Sequence, residues 1–187
     1  MKNHFSIHEY LKNNFDYEEE FPIEINRIEL KRNSFILKEN ELENDLYFIV
    51  DGIVESGMNK NGENHIIDFF FFNQFFTALI PLITRKPSDT YLLCVTDCVI
   101  EKINYESLNN ASKNSLIVNK LLRRLSELAL MQRLKKEKQM ATLSAEEMYL
   151  DLIKNRPYIL QQISVKKIAQ YLGVHPASLS RIRKQIK

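Results

Sequence analysis

The chain has 187 residues, of which 44% are hydrophobic and 27% charged, the balance of a globular protein with one large domain or two modest ones. No segment reaches the ~18 apolar residues of a transmembrane helix, and the N-terminal segment lacks the apolar core of a signal peptide, so we expect a cytoplasmic protein. The net charge of +2 is unevenly distributed, because residues 1–110 carry −9 and residues 152–187 carry +8 with no acidic residue. A basic end of this kind is typical of polyanion binding, with a solvated basic face as the alternative.

The first predicted element is a short helix over residues 5–15, in which Ser6 and Glu9 have the spacing of a capping box. From about residue 27 onwards, short runs rich in Ile, Val, Phe and Tyr follow, such as LYFIV, HIIDFFFF and YLLCVTD. Turn residues separate these runs at roughly the 8–12-residue spacing of an all-β unit, and Asn61-Gly62 is a strong hairpin signal. A helix-compatible stretch with a proline-containing loop, residues 71–89, interrupts the strands. It is predicted to cover a ligand pocket, with packing alone as the alternative.

Cys94 and Cys98 are the only cysteines. We interpret them as small buried side chains of a strand, with a redox pair as the alternative. Two cysteines cannot supply the usual four thiolates of an iron–sulfur cluster, so an iron–sulfur sensor is not expected.

A long helix is predicted from residue 112 to about residue 140, which at ~1.5 Å per residue would be ~40 Å long. Its apolar positions follow a spacing of three, four and three residues, as in the seam of a coiled coil. We therefore predict that it pairs with a second copy of the chain, the alternative being packing on its own domain. The predicted dimer seam consists of Val118, Leu121, Leu125 and Leu128.

A further helix is predicted to begin at Ser144, which forms a second capping box with Glu147. The decisive pattern follows in ISVKKIAQYLGVHPASLSRIRKQI. Gly173 suits the left-handed end of one helix, and Pro176 suits the first turn of the next. A helix, a short turn with glycine and a second helix form a helix-turn-helix.

The second helix of this motif is predicted to bury Leu179, Ile182 and Ile186 and to turn its opposite side towards DNA. Arg181 can pair with a guanine edge, and Ala177 offers a methyl contact. The predicted base-reading residues are His175, Ala177, Ser178 and Arg181. The predicted phosphate contacts are Ser164, Lys166, Lys167 and Lys184.

These segments resemble the Crp/Fnr family of bacterial transcription regulators over nearly the whole chain. The resemblance is carried by LKRNSFILKENELENDLYFIVDGIVES, by RKPSDTYLLCVTDCVIEKI and, most specifically, by IAQYLGVHPASLSRI. It implies an α+β fold with an N-terminal double-stranded, jelly-roll-like β-roll, a long dimerisation helix and an all-α helix-turn-helix domain. The corresponding boundaries are residues 1–110 for the effector-type β-roll, 111–140 for the helix and 141–187 for the DNA-binding domain.

Two departures from the family concern the ligand. Members that bind cyclic AMP carry a Gly-Glu pair for the ribose and an Arg-Ser pair for the phosphate, whereas this chain has Thr77-Ala78 and Pro87-Ser88. Arg85 is the nearest substitute for the missing cation. We expect Thr77, Ala78, Arg85 and Ser88 to line an effector pocket that does not take cyclic AMP, because an unpaired phosphate in an apolar site is costly. No cofactor or metal is predicted.

The reading helix departs as well, since Pro176-Ala177 stands where the best-known members have an Arg-Glu pair. A different base preference is therefore expected. The sequence predicts a homodimeric DNA-binding transcription regulator that recognises a roughly palindromic site. The resemblance allows RNA polymerase and an unidentified small ligand as further partners.

The alternative function is a small-ligand sensor that acts through protein partners, because the β-roll pattern looks intact while the reading turn is plain. An enzyme is not predicted, because no phosphate-binding loop, nucleophile elbow or H-E-x-x-H motif is present in the sequence.

Overall fold

The computed structural model describes residues 5–157 and 159–185. It has the predicted α+β architecture of a β-roll followed by a long helix and a C-terminal group of helices. The helices are α1 (Ile7–Phe15), α2 (Leu79–Thr84), α3 (Tyr105–Ala111), α4 (Leu116–Thr142), α5 (Ala145–Asn155), α6 (Ile159–Gln162), α7 (Val165–Tyr171) and α8 (Pro176–Gln185). The strands are β1 (Asn26–Leu30), β2 (Phe35–Leu37), β3 (Asp45–Asp51), β4 (Ile53–Lys60), β5 (Glu63–Phe71), β6 (Gln74–Phe76), β7 (Tyr91–Cys94) and β8 (Cys98–Asn104).

The strands form two antiparallel four-stranded sheets, with the orders β1-β8-β3-β6 and β2-β7-β4-β5. Alternate residues of each strand point between the sheets, where Val54, Leu92 and Ile100 are fully buried. The rings of Tyr47 and Phe76 stack in this interior with centroids 5.2 Å apart. The β-roll is thus a filled sandwich with an apolar core of its own.

Local turn chemistry produces the expected breaks between strands. Asn61 and Gly62 have φ values of 55° and 82° and close the hairpin between β4 and β5, as predicted. Gly52 has a φ of 105°, and a Cβ atom at this position would lie 2.6 Å from the carbonyl oxygen of Asp97. The turn between β3 and β4 therefore requires glycine for both backbone conformation and space.

Both capping boxes are present. The hydroxyl of Ser6 accepts from the N–H of Glu9, and the hydroxyl of Ser144 accepts from the N–H of Glu147. The two cysteines are buried, as the sequence indicates, since Cys94 and Cys98 are 0% and 3% exposed.

The first half of α4 belongs to the core of the β-roll, which corrects part of the predicted dimer seam. Val118 and Leu121 are completely buried, in a cluster with residues of α1, β3 and β8. Leu125 packs against the same cluster and Leu128 is half-buried. Val118 and Leu121 therefore offer no surface to a second copy. Their heptad-like spacing reflects an apolar stripe that packs on its own chain.

Four large apolar side chains lie instead on the opposite side of α4. This outer stripe consists of Leu116, Leu130, Met131 and Leu134, which are 71%, 60%, 61% and 55% exposed. Leu116 and Leu134 are 18 residues apart, or five turns at 3.6 residues per turn, so they lie above one another along the helix.

In the described part of the chain, no helix has the length and hydropathy to cross a bilayer.

The C-terminal helices pack on the outer face of the second sheet. One continuous apolar cluster joins Ile66 and Phe69 of β5 to Tyr149, Ile168 and further residues of α5, α7 and α8. The guanidinium of Arg156 lies 4.0 Å from the ring centroid of Phe71 at the same junction. The β-roll and the helical domain thus share one core rather than being joined only by a linker.

Candidate nucleic-acid interface

Helices α7 and α8 form the helix-turn-helix that the sequence predicts. Gly173 has a φ of 67° in the turn, and the N–H of Val174 donates to the carbonyl of Ala169 over 3.0 Å. Ala169 and Leu179 are fully buried, so the two helices cross closely at a small side chain. The turn residue, the small residue and the buried anchor fix the direction of α8 relative to α7.

The buried side of α8 contains Leu179 and the half-buried Ile182. The third predicted anchor, Ile186, lies outside the described residues. The imidazole Nδ1 of His175 accepts from the N–H of Ala177 over 3.2 Å. His175 therefore satisfies one of the free N–H groups at the start of α8 while remaining exposed.

Two of the predicted reading residues, Ala177 and Arg181, share one solvent-facing side of α8 with Lys184, a predicted phosphate contact. Ala177, Arg181 and Lys184 are exposed at spacings of four and three residues, and Ser178 at the edge of this side is half-buried. Ser180 is exposed between Ala177 and Lys184 and was missed by the sequence reasoning. Helical spacing could have found it, because it is three residues after Ala177 and four before Lys184. An exposed basic helix of this kind can enter the major groove.

The predicted phosphate contacts have different surroundings. Lys166 and Lys184 are exposed on α7 and α8. The Ser164 hydroxyl accepts from the N–H of Lys167 over 3.3 Å and thereby caps α7. Lys167 instead points to the β-roll, where its Nζ lies 2.6 Å from Oε2 of Glu55 on β4. Glu55 was not identified from the sequence, which marks it only as a polar residue in a strand.

The four predicted effector residues differ in exposure and in their contacts. The hydroxyl of Thr77 donates to the carbonyl of Asp45 over 2.9 Å, and Ala78 is buried before α2. Ser88 is 1% exposed, and its hydroxyl donates to the carbonyl of Thr90 over 2.7 Å. Arg85 is exposed, with its guanidinium 5.6 Å from the ring centroid of Tyr105. Ser88 is thus engaged within its own loop, and Arg85 lies on the surface.

Glu43 is a buried acid in this part of the β-roll that the sequence reasoning missed. Its Oε1 accepts from the hydroxyl of Tyr47 over 3.0 Å and from the N–H groups of Asn44 and Asp45, while Oε2 has no hydrogen-bond partner in the described residues. Burial raises the pKa of Glu43, and the hydrogen bonds from Asp45, Tyr47 and Asn44 oppose the rise. Burial, reinforced by the charge of Glu43, also raises the pKa of Tyr47. Glu43 and Tyr47 therefore form a buried hydrogen-bonded pair.

Comparison with known proteins agrees with this architecture. Residues 27–115 match the cyclic nucleotide-binding domain family. No curated protein matches the sequence. Among solved structures, FixK2 from Bradyrhizobium japonicum superposes with a TM-score of 0.71 at 18% identity, covering 88% of this chain and 85% of FixK2.

Two further structures are similarly close. The c-di-GMP-responsive global regulator CLP from Xanthomonas campestris has a TM-score of 0.67 at 17% identity, with 87% of this chain and 86% of CLP covered. A protein from Eubacterium rectale that was assigned to the Crp/Fnr family of transcriptional regulators has a TM-score of 0.66 at 14% identity, with 97% and 83% covered. Residues 27–115 therefore match the cyclic nucleotide-binding domain family, and the chain has the fold of these regulators, as the resemblance seen in its sequence implies.

Proposed function

We propose that the protein is a homodimeric, sequence-specific DNA-binding transcription regulator. The observation that carries this proposal is the side of α8 that faces solvent, on which Ala177, Arg181 and Lys184 are exposed together in a complete helix-turn-helix. The net charge of +8 over residues 152–187 suits a polyanion, and it contrasts with −9 over residues 1–110. The regulators to which the chain is similar in fold make DNA the first partner to test.

The exposed residues divide into two proposed roles. Arg181 reads a base, because its guanidinium can donate two hydrogen bonds to a guanine, and Ala177 contacts a thymine methyl group. His175 and Ser178 complete the base-reading set near the start of α8. Lys166 and Lys184, together with Ser164 at the start of α7, contact phosphates and set the register. Removing one lysine–phosphate contact should reduce the steepness of log Kobs against log salt by about 0.9.

We propose that the dimer forms through the outer stripe of α4. Apolar side chains that are more than half exposed, such as Leu130, Met131 and Leu134, gain free energy when a second copy covers them. Pairing along a helix axis gives a two-fold symmetric dimer with two copies of α8. Half-sites about 34–36 Å apart, one turn of DNA, are then expected, and the operator should be roughly palindromic.

We further propose that a small effector other than cyclic AMP acts on the β-roll, and that RNA polymerase is a partner of the DNA-bound dimer. The exclusion of cyclic AMP in this proposal is supported by the engaged hydroxyl of Ser88 and by the surface position of Arg85.

Selection of binding sites from random DNA with the ligand-free protein tests the main proposal. We expect an enriched palindrome, and Arg181→Ala should weaken binding and relax the preference at one position in each half-site by about 1–3 kcal/mol. Lys184→Ala is the matched control, because removing a side chain that binds phosphate weakens binding to all sequences about equally. A monomeric protein that enriches no motif would overturn the proposal.

A further inference from the structure

The β-roll and the first helix of the helix-turn-helix are in direct contact. Helix α7 packs against β5, where the rings of Phe69 and Tyr171 lie 5.4 Å apart. The side-chain amide of Gln170 donates to the carbonyl of Asn64 over 3.0 Å. Apolar packing therefore holds the two domains together, and polar contacts lie along the edge of the contact.

A second polar contact involves Glu55, an acid on the outer face of β4. Glu55 is 2% exposed as a whole residue, and its side chain is 3% exposed. On the same face of the sheet, Gly57 leaves the space that the Tyr91 phenol occupies, since a Cβ atom on Gly57 would lie 2.4 Å from the Tyr91 hydroxyl oxygen. A carboxylate so enclosed requires a cationic partner, because an unpaired buried charge is strongly unfavourable.

Lys167 supplies that partner. Its Nζ lies 2.6 Å from Oε2 of Glu55, and its side chain is 30% exposed. The neighbouring Lys166 has the same charge but is exposed. The two adjacent lysines of α7 are therefore divided, so that one faces the β-roll and the other faces solvent.

The pair leaves the reading surface uncovered. Arg181 and Lys184 on α8 are exposed while Lys167 is bound to Glu55. A contact that occluded DNA would bury the exposed side of α8, and this contact does not. The pair therefore joins α7 to the β-roll without covering the reading surface.

We propose that Glu55 is a positioning residue for DNA recognition: by binding Lys167 it fixes the orientation of α8 on the β-roll, and Lys167 serves this contact instead of a DNA phosphate. The proposal rests on the DNA-binding function proposed above and assigns Lys167 a role different from the one expected from the sequence. In a dimer, a fixed orientation in each copy sets a single distance between the two reading helices. The pair therefore determines how strictly the protein requires one spacing of half-sites.

The first test measures spacing preference with the full-length protein. DNA duplexes carry the selected half-site at the preferred spacing or at a spacing changed by one or two base pairs, and Kd is measured for each. The double variant Glu55→Gln/Lys167→Gln leaves no buried charge unpaired. For this variant we expect the Kd at an altered spacing, divided by the Kd at the preferred spacing, to be about tenfold smaller than in the wild type. A tenfold change corresponds to the loss of roughly one charge-assisted hydrogen bond. Lys167→Arg keeps a cation for Glu55 and should retain the wild-type ratio. An unchanged ratio in the double variant overturns the proposal.

The second test measures the salt dependence of binding at the preferred spacing. Glu55→Gln/Lys167→Gln, which leaves no buried charge unpaired, should leave the slope of log Kobs against log salt unchanged, because Lys167 contacts no phosphate. If both copies of Lys167 contacted phosphates, the steepness would fall by about 1.8, and that result would also overturn the proposal. Lys166→Gln, one residue away with an exposed side chain, is the matched comparison.

Different results would refute the proposed DNA-binding function and the proposed role of Glu55. A wild-type protein that selects no DNA site refutes the proposed function before any variant is made. A wild-type protein that binds a palindrome, combined with an unchanged spacing ratio or a reduced salt slope in the Lys167 variants, refutes only the role of Glu55. Circular dichroism and thermal unfolding of each variant establish that the compared proteins are folded.

Discussion

The two sides of α4 give a sharp test of how the chain associates. Leu134, in the outer stripe, is 55% exposed, whereas Leu121 on the opposite side is completely buried in its own domain. Complete burial of a leucine side chain is worth about 1.5–3 kcal/mol, so the exposed half of Leu134 can contribute about 1 kcal/mol per copy when a partner covers it. In a symmetric dimer this contribution occurs twice, and Leu134→Ala should raise the dimer Kd roughly 30-fold.

Leu121→Ala is the matched control, since it makes the same chemical change on the same helix. It should lower the free energy of unfolding by about 2–5 kcal/mol and leave the dimer Kd of the folded protein almost unchanged. Sedimentation equilibrium over a range of concentrations gives the dimer Kd, and urea unfolding at fixed concentration gives the stability. The reasoning would be refuted if Leu134→Ala left the dimer Kd unchanged, or if Leu121→Ala dissociated the dimer without destabilising the fold.

Three further outcomes are expected. Because burial raises the pKa of Glu43, its contribution to stability is present below the unfolded-state pKa and is lost as pH rises through the folded-state pKa. Tm should therefore fall over this pH window, and Glu43→Gln should remove that part of the pH dependence. Equal Tm–pH profiles for the wild type and the variant would contradict the raised pKa of Glu43. Gly52→Ala should cost several kcal/mol of stability, measured by urea unfolding, because its Cβ atom would lie 2.6 Å from a backbone oxygen. At Gly62 an added Cβ atom meets no atom within 4 Å, so Gly62→Ala should cost only about 1 kcal/mol of backbone strain. Similar losses of stability in the two variants would contradict the steric account. Cyclic AMP at millimolar concentration should leave Tm unchanged, because the Ser88 hydroxyl is already bonded to the carbonyl of Thr90, and a rise of several degrees would show binding.

Where the sequence predicted structure well, the cause is local. Asn61-Gly62 closes a hairpin because both residues tolerate positive φ, and Gly173 ends α7 for the same reason. The capping box at Ser144 needs only residues three positions apart. These features are determined within one or two turns of chain, so a single sequence is enough to locate them.

The apolar spacing on α4 was a weaker guide. The sequence correctly predicted a long helix with an apolar stripe through Val118 and Leu121, but it assigned the stripe to a second copy of the chain. Hydrophobic periodicity shows which side of a helix is covered, and it does not show which partner covers it. Only the packing of α1, β3 and β8 against this side identifies the partner as the chain itself.

The sequence by itself determined the order of the elements, the helix-turn-helix and the exposed position of Arg181, because periodicity and turn chemistry depend on near neighbours. The tertiary structure decided the roles of Glu55 and Lys167, which are 112 residues apart in the chain and 2.6 Å apart in space. A lysine in the first turn of a helix has the same neighbouring residues in the sequence whether its side chain faces a phosphate or a carboxylate. Its partner is chosen by how the β-roll and the helical domain pack together, since that packing buries Glu55 and leaves its charge to be neutralised.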